Sequence, residues 1–278
     1  MGFGLKYKNE ETVFEEKIME GVPLLTYPLL EKTEFVTHGF TTRMGGVSEG
    51  YCSTMNISTT RGDAPEAVEE NRKRLARALG VKVEDFTYTH QTHTTNVAVV
   101  REEDRGKRFM ETDGMVTNVP GICLVTFYAD CVPLYFVDPV HKAIGLSHSG
   151  WRGTVHRMGK ATLEAMNREY GTNPADVIAC IGPSICQDCF EVGPEVAAEF
   201  ADGFAEQYHK DLFYQKPDGK YQVDLWRANE IVLQEAGIPE NQIHTTDICT
   251  RCNPTHLFSH RIMGTERGNL AAFLALKE

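Results

Sequence analysis

Histidine and cysteine are the side chains that bind metals or act as nucleophiles near neutral pH. Three stretches of this chain set them in polar or glycine-rich surroundings: Tyr88-Thr89-His90-Gln91-Thr92-His93-Thr94-Thr95-Asn96, Tyr128-Ala129-Asp130-Cys131-Val132-Pro133, and Gly145-Leu146-Ser147-His148-Ser149-Gly150-Trp151-Arg152-Gly153. The second lies at the end of the most apolar strand, and the third passes from a β-rich run into a helix. Buried strands that end in polar, Gly-rich loops are where α/β proteins place their sites. One Cys and two His would give zinc three ligands and leave a fourth position for water or a substrate oxygen. A lone His or Cys is as readily a packed or surface residue, and these three share no tight spacing. On spacing alone both readings stand.

Two further pairs, Cys186-Gln187-Asp188-Cys189 and Cys249-Thr250-Arg251-Cys252, lie much farther apart than the halves of a zinc ribbon. Folding could join them into a structural tetrathiolate centre, each could form a redox disulfide, or they could be loop thiols beside the active pocket. They stay outside the candidate site. Cys52 and Cys123 read as buried or incidental.

Helices and strands intermix along the whole length. The clearest helix opens at Gly62-Asp63-Ala64-Pro65-Glu66, with Asp63 as expected cap and Glu66 closing a capping box. It turns Val68, Leu75 and Leu79 to one side and stops at Gly80. A second is expected after Gly153, with Val155, Met158, Leu163 and Met166 inward and Gly171 at its end. A third runs from Asp224 through Leu225, Ile231 and Val232 towards Gly237. Runs rich in β-branched or aromatic residues mark strands at 35–41, 96–100, 122–128, 134–137, 143–147, 177–181 and 270–276. With no internal repeat, low-complexity linker or hinge, the pattern predicts a single α/β domain over 1–278 with a mixed sheet, and residues 1–33 as an N-terminal extension packed on it.

The bounds from composition agree. The chain has 278 residues, 41% of them hydrophobic and 24% charged, which excludes collagen-like, coiled-coil and wholly disordered classes. A net charge of −11 repels a phosphate backbone, so a dedicated nucleic-acid binder is not expected. The polar, Glu-rich start does not read as a signal peptide. The apolar run Gly121–Val140 carries Asp130, Pro133 and Asp138, so it reads as buried strands rather than a membrane span. The expectation is a soluble cytoplasmic protein with reduced cysteines.

Taken in order, His38-Gly39-Phe40-Thr41-Thr42-Arg43-Met44-Gly45-Gly46-Val47-Ser48, Gln91-Thr92-His93, Thr112-Asp113-Gly114, Ala129-Asp130-Cys131-Val132-Pro133, His148-Ser149-Gly150-Trp151-Arg152-Gly153, Ile181-Gly182-Pro183 and Phe190-Glu191-Val192-Gly193 closely resemble the YfiH/YlmD family. That family is also known as laccase-domain or multicopper polyphenol oxidase proteins and as purine nucleoside phosphorylases. The resemblance runs from about Phe35 to the C-terminus. It implies a four-layer α/β/β/α sandwich related to the catalytic domain of cytotoxic necrotizing factor. It also implies a zinc ion held by His93, Cys131 and His148, with Arg43 in the same pocket. The implied activities are phosphorolysis of adenosine, inosine and methylthioadenosine, and deamination of adenosine, so the implied partners are purine nucleosides and phosphate. Two departures stand out: Ser149 where Ala is usual, and His260-Arg261 where Tyr-Arg is usual.

The chemistry of the residues is compatible with that implication. Arg43 and Arg152 lie in Gly-rich loops open to close approach and could hold phosphate, helped by the positive end of the helix after Gly153. A zinc with an open position supplies the activated water that deamination needs. Asp130 is either an acid/base and ligand-orienting group or a carboxylate that fixes its loop, and Arg152 could equally be structural. Asp113 reads as shaping a turn at Asp113-Gly114. Multicopper catalysis needs many His, typically in His-x-His pairs, and none of the ten His here forms one. Copper at the zinc site would be adventitious. The competing enzyme reading is a metal-free cysteine hydrolase or deamidase with Cys131 as nucleophile and His148 as base.

Overall fold

The apolar run Gly121–Val140 resolves into two strands, Cys123–Tyr128 and Val132–Asp138, joined by the short link Ala129-Asp130-Cys131. The two strands belong to different sheets, so this link crosses from one sheet to the other. The computed structural model describes residues 2–9 and 13–278.

The first sheet has seven strands in the order Glu15–Met19, Val22–Thr26, Val36–Thr41, Leu270–Leu276, Cys123–Tyr128, Phe86–Thr89 and Arg108–Phe109. Pairing is antiparallel except at Phe86–Thr89, which runs parallel to both of its neighbours. Within the first 33 residues, the hairpin Glu15–Met19/Val22–Thr26 joins this sheet through Leu24↔Thr41 and Leu25↔Phe40. The second sheet has six strands, in the order Ile243–Thr245, Ile178–Ile181, Val132–Asp138, Ala143–Ser149, Gly114–Thr117 and Val97–Val99. Its centre is antiparallel and its two outer pairs are parallel. A third, three-stranded sheet joins 191–192, 221–223 and 213–215. The architecture is mixed α/β with mixed sheets.

Alternation along the strands divides the apolar residues into three cores. Leu25, Phe40, Leu124, Leu270 and Leu274 of the first sheet share one core with Met115, Tyr135, Val137, Ile144 and Leu146 of the second. The opposite residues of the first sheet, including Leu24, Phe86, Val125 and Phe273, pack on Leu75 and Leu79 of the helix Pro65–Leu79. The opposite residues of the second, including Leu134, Phe136 and Ile181, pack with Leu163 and Met166 of Met158–Tyr170 and Ile231 and Val232 of Leu225–Glu235. Each fully buried Leu, Ile or Phe contributes roughly 1.5–3 kcal/mol relative to exposure. Strands buried this thoroughly read as near-continuous apolar runs, which is why they were visible in the sequence.

All seven expected strands form. The helix Pro65–Leu79 ends at Gly80 in the left-handed conformation, and Asp224 caps Leu225–Glu235 by accepting the Arg227 amide at 3.0 Å. Two helix expectations need correction. Asp63 does not cap the helix at 65; its carboxylate accepts from Ser48 Oγ at 2.6 Å and Asn56 Nδ2 at 2.7 Å. The helix expected after Gly153 starts earlier, at Trp151, and stops at Val155; a second begins at Met158, after Arg157 adopts φ +66°. Nor do Asp113-Gly114 make a turn: Gly114 opens the strand Gly114–Thr117, where an added Cβ would lie 2.5 Å from Met158 Cε.

Candidate functional site

His148 is the penultimate residue of the central strand Ala143–Ser149, and its ring is almost fully buried. Its amide donates to the Asp113 carbonyl at 2.7 Å, and its Nδ1 donates to Asp113 Oδ1 at 2.8 Å. An ionised carboxylate only accepts, so in the neutral ring the proton sits on Nδ1 and Nε2 carries the lone pair.

His93 comes from the loop after the strand Phe86–Thr89. Two devices hold that loop. The Gln91 side chain pairs with both backbone groups of Phe127, donating to the carbonyl at 2.7 Å and accepting the amide at 2.8 Å. The Asp113 carboxylate accepts the amides of Thr92, His93 and Thr94, each at 3.0 Å, and the Thr94 hydroxyl at 3.0 Å. These bonds offset the cost of φ +63° at His93, a left-handed conformation that a side chain with a Cβ seldom adopts.

Cys131 lies in the link between the two sheets. Its Sγ is 3.8 Å from His93 Nε2, and the ligand atoms of His93, Cys131 and His148 all lie within 4.8 Å of one another. The two imidazoles meet edge to face with centroids 4.9 Å apart. Gly150 leaves the room for this: a Cβ there would sit 2.7 Å from His93 Cδ2 and 3.1 Å from Cys131 Sγ.

Burial disfavours both the Cys131 thiolate and the His148 imidazolium, but each stabilises the other. The charge and hydrogen bonds of His148, then His93, hold Cys131 well below its ordinary value, while Cys131 and Asp113 raise His148. Burial likewise pushes Asp113 up, but the His148 bond and charge and the loop amides outweigh it and bring it to about 2. The donor set of one thiolate and two imidazoles, close enough to share one ion, suits zinc with an open position.

The cluster forms part of the wall of a recess of about 560 Å³. Arg61, Arg108 and Arg267 bring cationic groups to the same recess, together with His90 and His260. Among the described residues none of the three arginines has a carboxylate partner within 4.0 Å. Burial and the neighbouring Arg61 lower Arg267 to about 10. Buried His90 Nδ1 and Arg267 Nε have no partner among the described residues.

The other expected site residues lie elsewhere. Arg43 is tied into the fold: Nε donates to the Ser53 carbonyl at 2.9 Å, a terminal nitrogen donates to the Pro254 carbonyl at 3.0 Å, and the guanidinium lies 4.6 Å over the Phe258 ring. It lines a separate concavity with Met44, Gly45 and Thr255. The Asp130 carboxylate is occupied, accepting from Thr250 Oγ1 at 2.6 Å and the Arg261 amide at 2.7 Å. Arg152 is exposed and stacks 4.3 Å over Trp151, outside the recess. Of the two departures, Ser149 is buried against Thr154 and Asn229 at 2.9 and 3.0 Å, whereas His260 lines the recess. Sequence reasoning missed Asp113 as the partner of His148. Its place inside one of the recurring motifs, with no other chemical task, was the available signal. No local pattern singled out Arg61, Arg108 or Arg267.

A family model described as "Multi-copper polyphenol oxidoreductase laccase" matches residues 37–277. The chain is 34% identical over 251 residues to a Bacillus subtilis protein named purine nucleoside phosphorylase YlmD, covering 87% of this chain and 89% of that one. It is 38% identical over 253 residues to a protein named adenosine deaminase from an unknown prokaryotic organism, covering 86% and 95%. The crystal structure of the Bacillus licheniformis hypothetical protein YfiH superposes with a TM-score of 0.89 at 32% identity, covering 95% of this chain and 99% of that one. With the same fold from end to end and a family match over residues 37–277, this chain belongs to the laccase-domain family of YfiH and YlmD.

Proposed function

We propose that this protein is a zinc-dependent enzyme of purine nucleosides. It would cleave adenosine, inosine and methylthioadenosine with phosphate, and deaminate adenosine. The observation that carries this reading is the convergence of His93, Cys131 and His148 at the wall of a recess that also holds three arginines with no carboxylate partner among the described residues. The names of relatives, phosphorylase in one case and deaminase in another, support both halves of it.

When bound by His93, Cys131 and His148, a zinc ion would supply Lewis acidity and lower the pKa of a bound water. The chain's own residues do the rest. Asp113 keeps His148 in one tautomer with Nε2 facing the cluster, and it holds the His93 loop in place. Arg61, Arg108 and Arg267 would bind phosphate through charge-assisted hydrogen bonds. This assignment replaces Arg43, which lines a separate concavity and donates to two backbone carbonyls. We propose further that the three cores correspond to a four-layer α/β/β/α sandwich, with helices outside two facing sheets.

One observation favours a second reading. Cys131, His148 and Asp113 also have the order of a thiolate–imidazole–carboxylate triad, which a metal-free cysteine hydrolase or deamidase would use. His93, close to the same sulfur, supports the thiolate in either reading and adds a third ligand in the zinc one.

The test is chromatography of the products from adenosine. With phosphate, adenine should appear. Without phosphate, adenine should vanish and inosine should persist, because glycosidic cleavage needs phosphate as nucleophile and deamination does not. His93→Ala should lose both products. Full activity in His93→Ala would favour the cysteine hydrolase. Oxidation of phenols with neither adenine nor inosine formed would overturn the nucleoside reading.

A further inference from the structure

Besides the site already described, the fold brings together a second group of metal-binding side chains. Cys186 and Cys189 flank one tight turn, closed by the Cys189 amide donating to the Cys186 carbonyl at 3.0 Å. Cys249 and Cys252 flank another. A bridge between Ser184 and Cys249, with the Thr250 amide on the Ser184 carbonyl at 3.1 Å, sets the two turns side by side. All four thiols are free, three are buried, and their Sγ atoms lie within 4.8 Å of one another.

We propose that Cys186, Cys189, Cys249 and Cys252 bind a structural zinc ion that staples these two loops together. A tetrahedral zinc with Zn–S bonds of about 2.3 Å has S···S edges of about 3.8 Å. The observed cluster is close to that size, with Cys189 and Cys252 Sγ atoms 3.5 Å apart. Two disulfides would need two close pairs, whereas here all four sulfurs are mutually close. Donors already face the sulfurs as thiolates require: the Cys186 amide on Cys249 Sγ at 3.3 Å and Arg251 on Cys189 Sγ at 3.3 Å. Zinc binding would release the four thiol protons to solvent, and Arg251 with nearby Lys8 would offset the net negative charge left behind.

The staple has a purpose that the geometry makes specific. Both loops grip Asp130, the neighbour of the ligand Cys131. The Ile185 amide donates to the Asp130 carbonyl at 3.0 Å, and Thr250 Oγ1 donates to its carboxylate at 2.6 Å. Asp130 has φ +85°, a conformation that such bonds must hold. Fixing the two loops therefore fixes the corner from which Cys131 projects.

The experiment uses full-length protein produced with zinc and purified without metal resin. Zinc is measured by mass spectrometry in a His93→Ala/Cys131→Ala variant, which among the described residues leaves only the four-cysteine group intact. One zinc per chain is expected, and cobalt exchanged into the same variant should give the intense visible bands of a tetrahedral tetrathiolate. No zinc and no such bands would overturn the proposal, as would iron in place of zinc or disulfides among the four cysteines. Adding Cys186→Ser and Cys249→Ser should remove that zinc; retention would also overturn it. If this last variant fails to fold, the first measurement decides alone. None of these readouts depends on nucleoside turnover.

Discussion

A single oxygen of Asp113, Oδ1, accepts from His148 Nδ1 at 2.8 Å and from the His93 amide at 3.0 Å. One buried carboxylate thereby sets the tautomer of one candidate ligand and the backbone of another. Its second oxygen takes the amides of Thr92 and Thr94 and the Thr94 hydroxyl. Asp113→Ala should therefore weaken zinc binding by about 10–100-fold, the usual effect of losing an orienting partner. It should also destabilise the protein by roughly 3–5 kcal/mol, because buried donors lose their acceptor. Competition with a chelator and urea denaturation measure the two effects. Wild-type zinc affinity in this variant would remove Asp113 from the site.

Gly150 gives a sharper test of geometry. Gly150→Ala places a methyl 2.7 Å from His93 Cδ2 and 3.1 Å from Cys131 Sγ, so metal and activity should fall together while the melting temperature changes little. Gly153→Ala is the control, since its nearest neighbour would be 3.5 Å away. Equal zinc content in both variants would show that the cluster can spread without loss.

Arg43 and the recess arginines should separate cleanly. Arg43→Ala removes two carbonyl contacts and a cation–π contact with Phe258, so it should lower stability by about 1–3 kcal/mol and keep turnover per folded molecule. Arg108→Ala should instead raise the KM for phosphate, with a smaller loss of stability from its contacts to the Thr59 hydroxyl and the Tyr88 ring. A phosphate KM moved by Arg43→Ala alone would reverse the assignment.

His38 predicts a pH dependence away from the site. Its ring is buried and accepts the Tyr27 amide at 2.7 Å, and burial lowers its pKa to about 4. The unfolded chain takes up the proton near pH 6.5, and the folded one does not until about pH 4. Stability from this group is complete above pH 6.5 and is lost as pH falls towards 4, by up to about 3 kcal/mol. His38→Gln, which keeps an acceptor, should flatten that part of the curve in denaturant titrations at several pH values. An unchanged slope would mean that other groups set it.

The elements were legible in the chain because they rest on local physics. Runs such as Leu270–Leu276 are buried throughout and so stay apolar throughout, and Gly80 and Gly171 end their helices because the closing residue needs positive φ. His93, Cys131 and His148 could be named from their motifs, but their approach to within 4.8 Å could not be read from positions 38 and 17 residues apart. That meeting depends on two sheets that share one core, with the link 129–131 crossing between them, and on Gly150 leaving room. The same distinction explains Arg43. Its glycine-rich loop suggested a ligand, and only the folded chain brings Ser53, Pro254 and Phe258 around the guanidinium and ties it into the fold. Asp113 and the four cysteines follow the same rule: residue type and local pattern are properties of the sequence, whereas a hydrogen-bond partner or a fellow ligand is chosen by long-range packing.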